Sequence, residues 1–280
     1  MINKLGEHYL SSKLIAMDPV PLKLENTNYR VEFINDYFEG QLHDIKDSVK
    51  PNLFILDNVL EHVRGLHLFM ENIARNTRVG DFVYVCVPSF DIICNSLQYH
   101  EIILEHVHYF TLNELSSLFV KYGFTLLEAF SIHEDSRAYN YHIFIKNNNS
   151  SSDSFVTTNH PIKNIEHGFN TYLNTLKTCM DSINSINVPI WGVCASELTP
   201  TLAYFMRSDF DFCQGIFDTS SHKIGKYMVN IKPKIVHMDN VEAVKQGSYF
   251  FITAPALTYP VLRNLDKFNV KNVIVPLFFL

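Results

Sequence analysis

Within Leu53–Val63, LFILDNVLEHV, four apolar residues run straight into Asp57-Asn58, and Glu61-His62 follows within one helical turn. An imidazole beside a carboxylate is suited to positioning or deprotonating a hydroxyl, because histidine titrates in the useful range. A short apolar run that ends abruptly in polar groups reads as a buried parallel strand reaching the carboxyl edge of its sheet. Open α/β sheets bind ligands at that edge, which places Asp57, Asn58, Glu61 and His62 where chemistry happens. The alternative is a helix start, with Asp57 or Asn58 as its cap and Glu61-His62 as its first turn.

The elements that must position these groups alternate along the chain. Leu14–Asp18, Arg30–Asn35, Leu53–Asp57 and Phe82–Pro88 read as strands. Leu66–Arg75 reads as a helix with Leu66, Phe69, Met70 and Ile73 on one face, and Leu112–Tyr122 as another, stopped by Gly123. Two more strands, Phe124–Phe130 and Tyr139–Lys146, give the pattern of a doubly wound sheet with an antiparallel edge strand. The polar run Asn147–Asp153, NNNSSSD, extended by Thr157–Pro161, has nothing to bury and marks a linker. Beyond it, helices over Ile162–Ile186, Thr199–Arg207 and Thr258–Phe268 alternate with strands Val188–Cys194, Phe212–Asp218, Tyr249–Thr253 and Val273–Pro276. The expected organisation is an α/β domain over 1–146, a linker over 147–161 and a second, smaller α/β domain over 162–280.

With 47% apolar and 19% charged residues, the 280-residue chain can bury real cores. A net charge of −6 and the lack of any Lys/Arg run exclude a nucleic-acid backbone binder. No apolar stretch is long enough to span a bilayer, and the N-terminus lacks a signal-peptide core, so no membrane partner is expected. The cysteines Cys86, Cys94, Cys179, Cys194 and Cys213 are dispersed without a CxxC pair, which points to reduced thiols in cytoplasm and assigns no metal.

The first half resembles class I S-adenosylmethionine-dependent methyltransferases, and the whole chain is similar to the sugar C-methyltransferase family. Leu14–Pro19, LIAMDP, matches that family's second strand, Asp57–Val63 its fourth strand and turn, and Val85–Pro88 its fifth. Glu105–Thr111, EHVHYFT, followed by Tyr122-Gly123-Phe124, matches the segment leading to the sixth. Trp191-Gly192, Asp218 and Lys223–Tyr227, KIGKY, fit the C-terminal pattern. The implied fold is a Rossmann-like methyltransferase sheet followed by a smaller Rossmann-like domain. The implied cofactor is S-adenosylmethionine, and the implied acceptor a nucleotide-linked sugar or related small metabolite.

The resemblance also implies roles. Asp18 ends the second strand, where a carboxylate clamps ribose hydroxyls, or it forms the turn before Pro19. Asn35, Asp36 and Tyr37 meet the adenine or form a polar loop, and Asp57 and Asn58 line the methionine side. His62 and His106 are base candidates, with His106, oriented by Glu105, the first choice and Tyr109 beside it, and His100 is a substrate contact; a structural role for His106 stays open. The family's histidine-glutamate-histidine run is Leu104-Glu105-His106 here, so one imidazole is missing. Arg137 either holds a phosphate or faces solvent. Gly192 leads a strand-to-helix turn towards a phosphate, Ser196 and Thr199 supply hydroxyls or a cap, and Asp218 binds a ribose or begins a turn.

The front departs from the family. Residues 1–13 contain only Gly6, with no strand before the helix-like Lys4–Ser11 and no glycine-rich cofactor loop. In such sheets the first strand lies between the second and fourth. Its loss implies a truncated product, closure of the two neighbours, or a partner or second copy that fills the gap. The family's cysteine-rich zinc module is absent as well. The alternatives to an enzyme are a non-catalytic nucleotide-sugar-binding or partner subunit of a complete methyltransferase, and an inactive homologue.

Overall fold

The computed structural model describes residues 14–20, 31–38, 53–134, 137–147, 165–244 and 247–277. Three sheets form from them. β1 (Leu14–Met17) and β2 (Val31–Ile34) make a parallel two-stranded ribbon with Leu14 opposite Val31. β3 (Leu53–Asp57), β4 (Phe82–Pro88), β5 (Phe124–Glu134) and β6 (Arg137–Lys146) form a second sheet in the order β3-β4-β6-β5. The third contains β7 (Ile190–Val193), β8 (Cys213–Asp218), β9 (Ile235–His237), β10 (Tyr249–Ile252) and β11 (Val273–Ile274). Its strands are all parallel, ordered β11-β10-β7-β8-β9, as in a Rossmann-like unit.

Val83, Val85 and Val87 of β4 alternate into the core with no exposure, as a two-residue side-chain period requires. They meet Phe69, Met70 and Ile73 of α1 (Leu66–Asn76), the apolar stripe read from the sequence. Next come α2 (Phe90–Asn95) and α3 (Leu112–Lys121). A reciprocal capping box between Thr111 and Glu114 starts α3, and Gly123 follows its end with φ of +81°. Phe119 of α3 stacks on Phe144 of β6 at 4.2 Å. In the second half, α4 (Ile165–Ile183), α5 (Thr199–Met206) and α6 (Thr258–Asp266) complete the layers.

One expectation about the first half needs correction, and one of the alternatives for its front is not met. The antiparallel strand is not at the edge: β6 lies between β4 and β5, with Phe82 opposite Ile145 and Phe124 opposite Lys146. The tight β5–β6 hairpin forces those strands to be neighbours, and β6 rather than β5 takes the place beside β4. Nor have the second and fourth strands of the family pattern closed up, because among the described residues β3 pairs only with β4 and the β1–β2 ribbon stands apart. The helix-like Lys4–Ser11 and most of the linker, residues 148–161, fall outside the described residues.

The two halves share a core. Cys94 and Tyr99 pack in one cluster with Tyr172 and Leu176 of α4. The Tyr99 hydroxyl donates to the Ile165 carbonyl at 3.1 Å. A Cβ on Gly168 would stand 2.7 Å from that hydroxyl, so the close approach of α4 requires glycine. No helix among the described residues is long and apolar enough to cross a membrane.

Candidate functional site

Leu60 has no exposure and anchors a 3-10 turn, Leu60–His62, just past the carboxyl end of β3. The chain reaches that turn through Asn58, which takes φ of +54° and donates its N–H to the Cys86 carbonyl at 2.9 Å. Asparagine is among the residues that tolerate this region. The Glu61 carbonyl then accepts the N–H groups of Val107 at 2.8 Å and His108 at 3.2 Å. His62 Nδ1 lies 3.0 Å from the Glu105 carbonyl, and His108 Nε2 lies 2.9 Å from that of Val63. These bonds zip residues 61–63 to residues 105–108.

The zip fixes a tautomer. A carbonyl only accepts, so His62 Nδ1 carries the proton and the neutral ring presents the lone pair of Nε2. That atom stands 4.0 Å from Glu61 Oε1. The His106 ring meets His62 edge to face, with centroids 4.9 Å apart. Glu61, His62 and His106 each offer a ligand atom, all within 4.8 Å of one another.

Around them a pocket of about 250 Å³ is lined by Asn58, Glu61, His62, His106, Tyr139 and Glu197, among others. Gln98 and Glu101 also line it. Glu197 belongs to the β7–α5 connection, so both halves of the chain contribute. Burial raises the Glu61 carboxyl, with Asp57 adding to the rise, while its own backbone N–H and His62 pull it back. Glu61 is 2% exposed, and its Oε2 has no hydrogen-bond partner among the described residues. Burial lowers the His106 imidazole, and neighbouring His62 lowers it further against the opposing pull of Glu105. His106 Nδ1 is buried without a hydrogen-bond partner among the described residues.

Of the predicted residues, the pocket gathers Asn58, Glu61, His62 and His106. Glu105 orients His62, not His106, and does so with its backbone carbonyl. Tyr109 is engaged on both sides: its hydroxyl accepts from the Ile103 N–H at 2.9 Å and donates to the Ile103 carbonyl at 3.3 Å. Its phenol closes the 103–109 loop. His100 is turned away from solvent, its ring stacked on Tyr172 at 6.4 Å, and burial pushes it down to about 3. It packs against α4 where a substrate contact was expected.

The expected cofactor carboxylates hold local structure. Asp18 accepts the Val20 N–H at 2.7 Å, the turn-forming alternative. Asp36 accepts the Tyr37 N–H at 2.8 Å. Asp57 accepts from Asn58 Nδ2 at 3.2 Å and also meets the Cys86 thiol, which burial and that carboxylate push up to about 12. Arg137 opens β6, but its side chain falls outside the described residues.

In the third sheet a Cβ on Gly192 would stand 2.8 Å from Ile216 Cγ1 and 3.0 Å from Thr253 Cγ2. This glycine therefore serves packing and does not open towards a phosphate. Asp218 is buried and accepts the N–H groups of Ala195 at 2.9 Å and Ser220 at 2.8 Å, with Lys223 Nζ at 3.6 Å. It begins a turn and braces the β7–α5 connection. The Thr253 hydroxyl bonds to the Val193 and Cys194 carbonyls, occupying the crevice where strand order reverses.

Sequence reasoning missed Gln98, Glu101, Tyr139 and Glu197. Tyr139 had a usable signal, since β6 alternates between its two faces. Glu197 had none, because its place depends on the packing of the two halves.

No known protein family matches the sequence, and no curated protein matches it. Among solved structures, the chain is similar to LepI in complex with SAH and a substrate analogue, with 15% identity and a TM-score of 0.38. It is also similar to LepI in complex with SAM, at 14% identity and 0.37, and to a structure described as a pericyclic reaction enzyme, at 13% and 0.37. Each match covers 51% of this chain and 39% of the neighbour. Likenesses this loose assign no activity.

Proposed function

We propose that this chain is an S-adenosylmethionine-dependent methyltransferase acting on a small polar acceptor, with transfer at the pocket of Asn58, Glu61, His62 and His106. One observation carries the reading. Two of the segments that carry the methyltransferase resemblance, Asp57–Val63 and Glu105–Thr111, are hydrogen-bonded together around one pocket at the carboxyl edge of a parallel strand.

Charge and size refine it. The carboxylates of Glu61, Glu101 and Glu197 in the pocket lining suit a sulfonium cation. The pocket's roughly 250 Å³ falls below the range of about 300–1,000 Å³ that encloses a whole ligand, so it takes the reacting ends only. If the acceptor is a nucleotide-linked sugar, as the resemblance implies, its diphosphate stays outside. His62 is the first choice to meet the acceptor's proton, because its tautomer is set and Nε2 is free to accept. Positioning of acceptor and methyl donor supplies most of the remaining acceleration.

The test is transfer of a labelled methyl group from S-adenosylmethionine to a panel of neutral sugars, phenols and nucleotide sugars. Transfer is expected to at least one class, with His62→Ala lowering its rate by about 10²–10⁴-fold and leaving cofactor affinity within a few-fold. A folded protein that neither transfers the label nor binds the cofactor refutes the proposal. The second reading, a binding subunit without catalysis, draws on Asp18 and Asp57 being committed to local bonds. Binding of a nucleotide sugar without cofactor binding or methyl transfer would favour it.

A further inference from the structure

We infer that Glu61, His62 and His106 form a site for a divalent transition-metal ion of zinc-like chemistry. Two imidazoles and one carboxylate are the donor set of three-ligand metal centres that keep a position open for water or substrate. The inference goes beyond the methyl-transfer reading, since an ion needs only these three side chains.

Three observations converge. First, the three ligand atoms already lie within 4.8 Å of one another. Donors about 2.0–2.2 Å from a common tetrahedral zinc stand about 3.4 Å apart, so modest side-chain rotation closes the set. Second, His62 is held as metal-binding histidines are held. Its Nδ1–H donates to the Glu105 carbonyl at 3.0 Å, which fixes the ring and turns the Nε2 lone pair towards Glu61. Third, Glu61 is 2% exposed, lines the pocket and carries an oxygen, Oε2, with no hydrogen-bond partner among the described residues. A buried carboxylate oxygen left without a donor is costly, and a cation in the adjoining pocket would compensate it.

The nitrogen donors set the class. Magnesium and calcium prefer oxygen-only shells, whereas zinc, cobalt and nickel take imidazole readily. Asn58, Glu101 and Glu197 also line the pocket in which the ion would meet an acceptor oxygen. With an ion in place His62 is a ligand and no longer receives the acceptor's proton. An oxygen bound to the ion loses its proton to bulk water more readily instead.

The test is calorimetric titration of zinc chloride into the full chain, freed of metal with a chelator. One equivalent is expected to bind, with cobalt substitution giving the visible absorption of a nitrogen- and oxygen-ligated ion. Glu61→Gln, His62→Ala and His106→Ala should each weaken zinc at least 10-fold, while His222→Ala, at an exposed histidine outside the cluster, should not. Circular dichroism establishes that each variant is folded. Zinc affinity unchanged in all three cluster variants, or no stoichiometric binding by the folded wild type, overturns the inference. Titration of S-adenosylmethionine in the same samples separates the two proposals. Cofactor binding without zinc binding removes only the ion, and zinc binding without cofactor binding removes only the methyl-transfer reading.

Discussion

Glu61 and His100 show how burial acts on single titratable groups in this chain. Both belong to segments flagged by their residue types, yet one faces a pocket and the other faces α4. His100 is fully buried and held down to about 3 from an ordinary value of 6.5, although the Glu101 carboxylate stands 3.8 Å away. Desolvation outweighs that attraction. The folded chain therefore keeps His100 uncharged, while the unfolded chain protonates it below its ordinary value. Between about pH 6.5 and about pH 3 the unfolded state binds the extra proton, so stability falls as the solution is acidified. The slope from this one group is at most about 1.4 kcal/mol per pH unit. Urea titrations from pH 4 to 7 should show a shallower slope for His100→Gln than for the wild type. Equal slopes would mean that His100 is not desolvated as described. Tyr109 and Glu105 teach a related lesson, because residue type predicted side-chain chemistry where the fold uses a loop-closing phenol and a backbone carbonyl.

At the scale of elements, Gly192 gives the sharpest test. A phosphate-facing glycine tolerates a methyl group with little loss of stability. The observed one has Ile216 Cγ1 at 2.8 Å and Thr253 Cγ2 at 3.0 Å from the site of a Cβ. Gly192→Ala should cost about 1–3 kcal/mol by overpacking, read as a lower urea midpoint. An unchanged midpoint would place this glycine outside the core. The elements themselves were largely legible in the sequence. β3 and β4 match the expected Leu53–Asp57 and Phe82–Pro88 to the residue, because long apolar runs with polar ends leave little freedom. α2, six residues capped by Ser89, and β9, three residues, went unread because neither is long enough to show a period. The interior place of β6 was also hidden, since hydrophobic pattern reports burial and not which neighbour a strand takes. Asp18 and Asp57 mark the same limit. A carboxylate at a strand end has one sequence signature, whether it clamps a ligand or holds its own turn.

For the whole molecule, the docking of the two halves matters most. Tyr99 and Cys94 enter the core of the second half, and Glu197 and Leu198 from the second half line the pocket of the first. The pocket is thus a product of tertiary packing, and no local motif contains it. The account stands on that pocket being the place where S-adenosylmethionine binds. Amide chemical-shift mapping of the full chain during titration with S-adenosylmethionine addresses this directly. Saturable shifts centred on Asn58–His62 and Glu105–His108 are the predicted result. No shifts at millimolar cofactor, or shifts confined to residues away from these two segments, would contradict it.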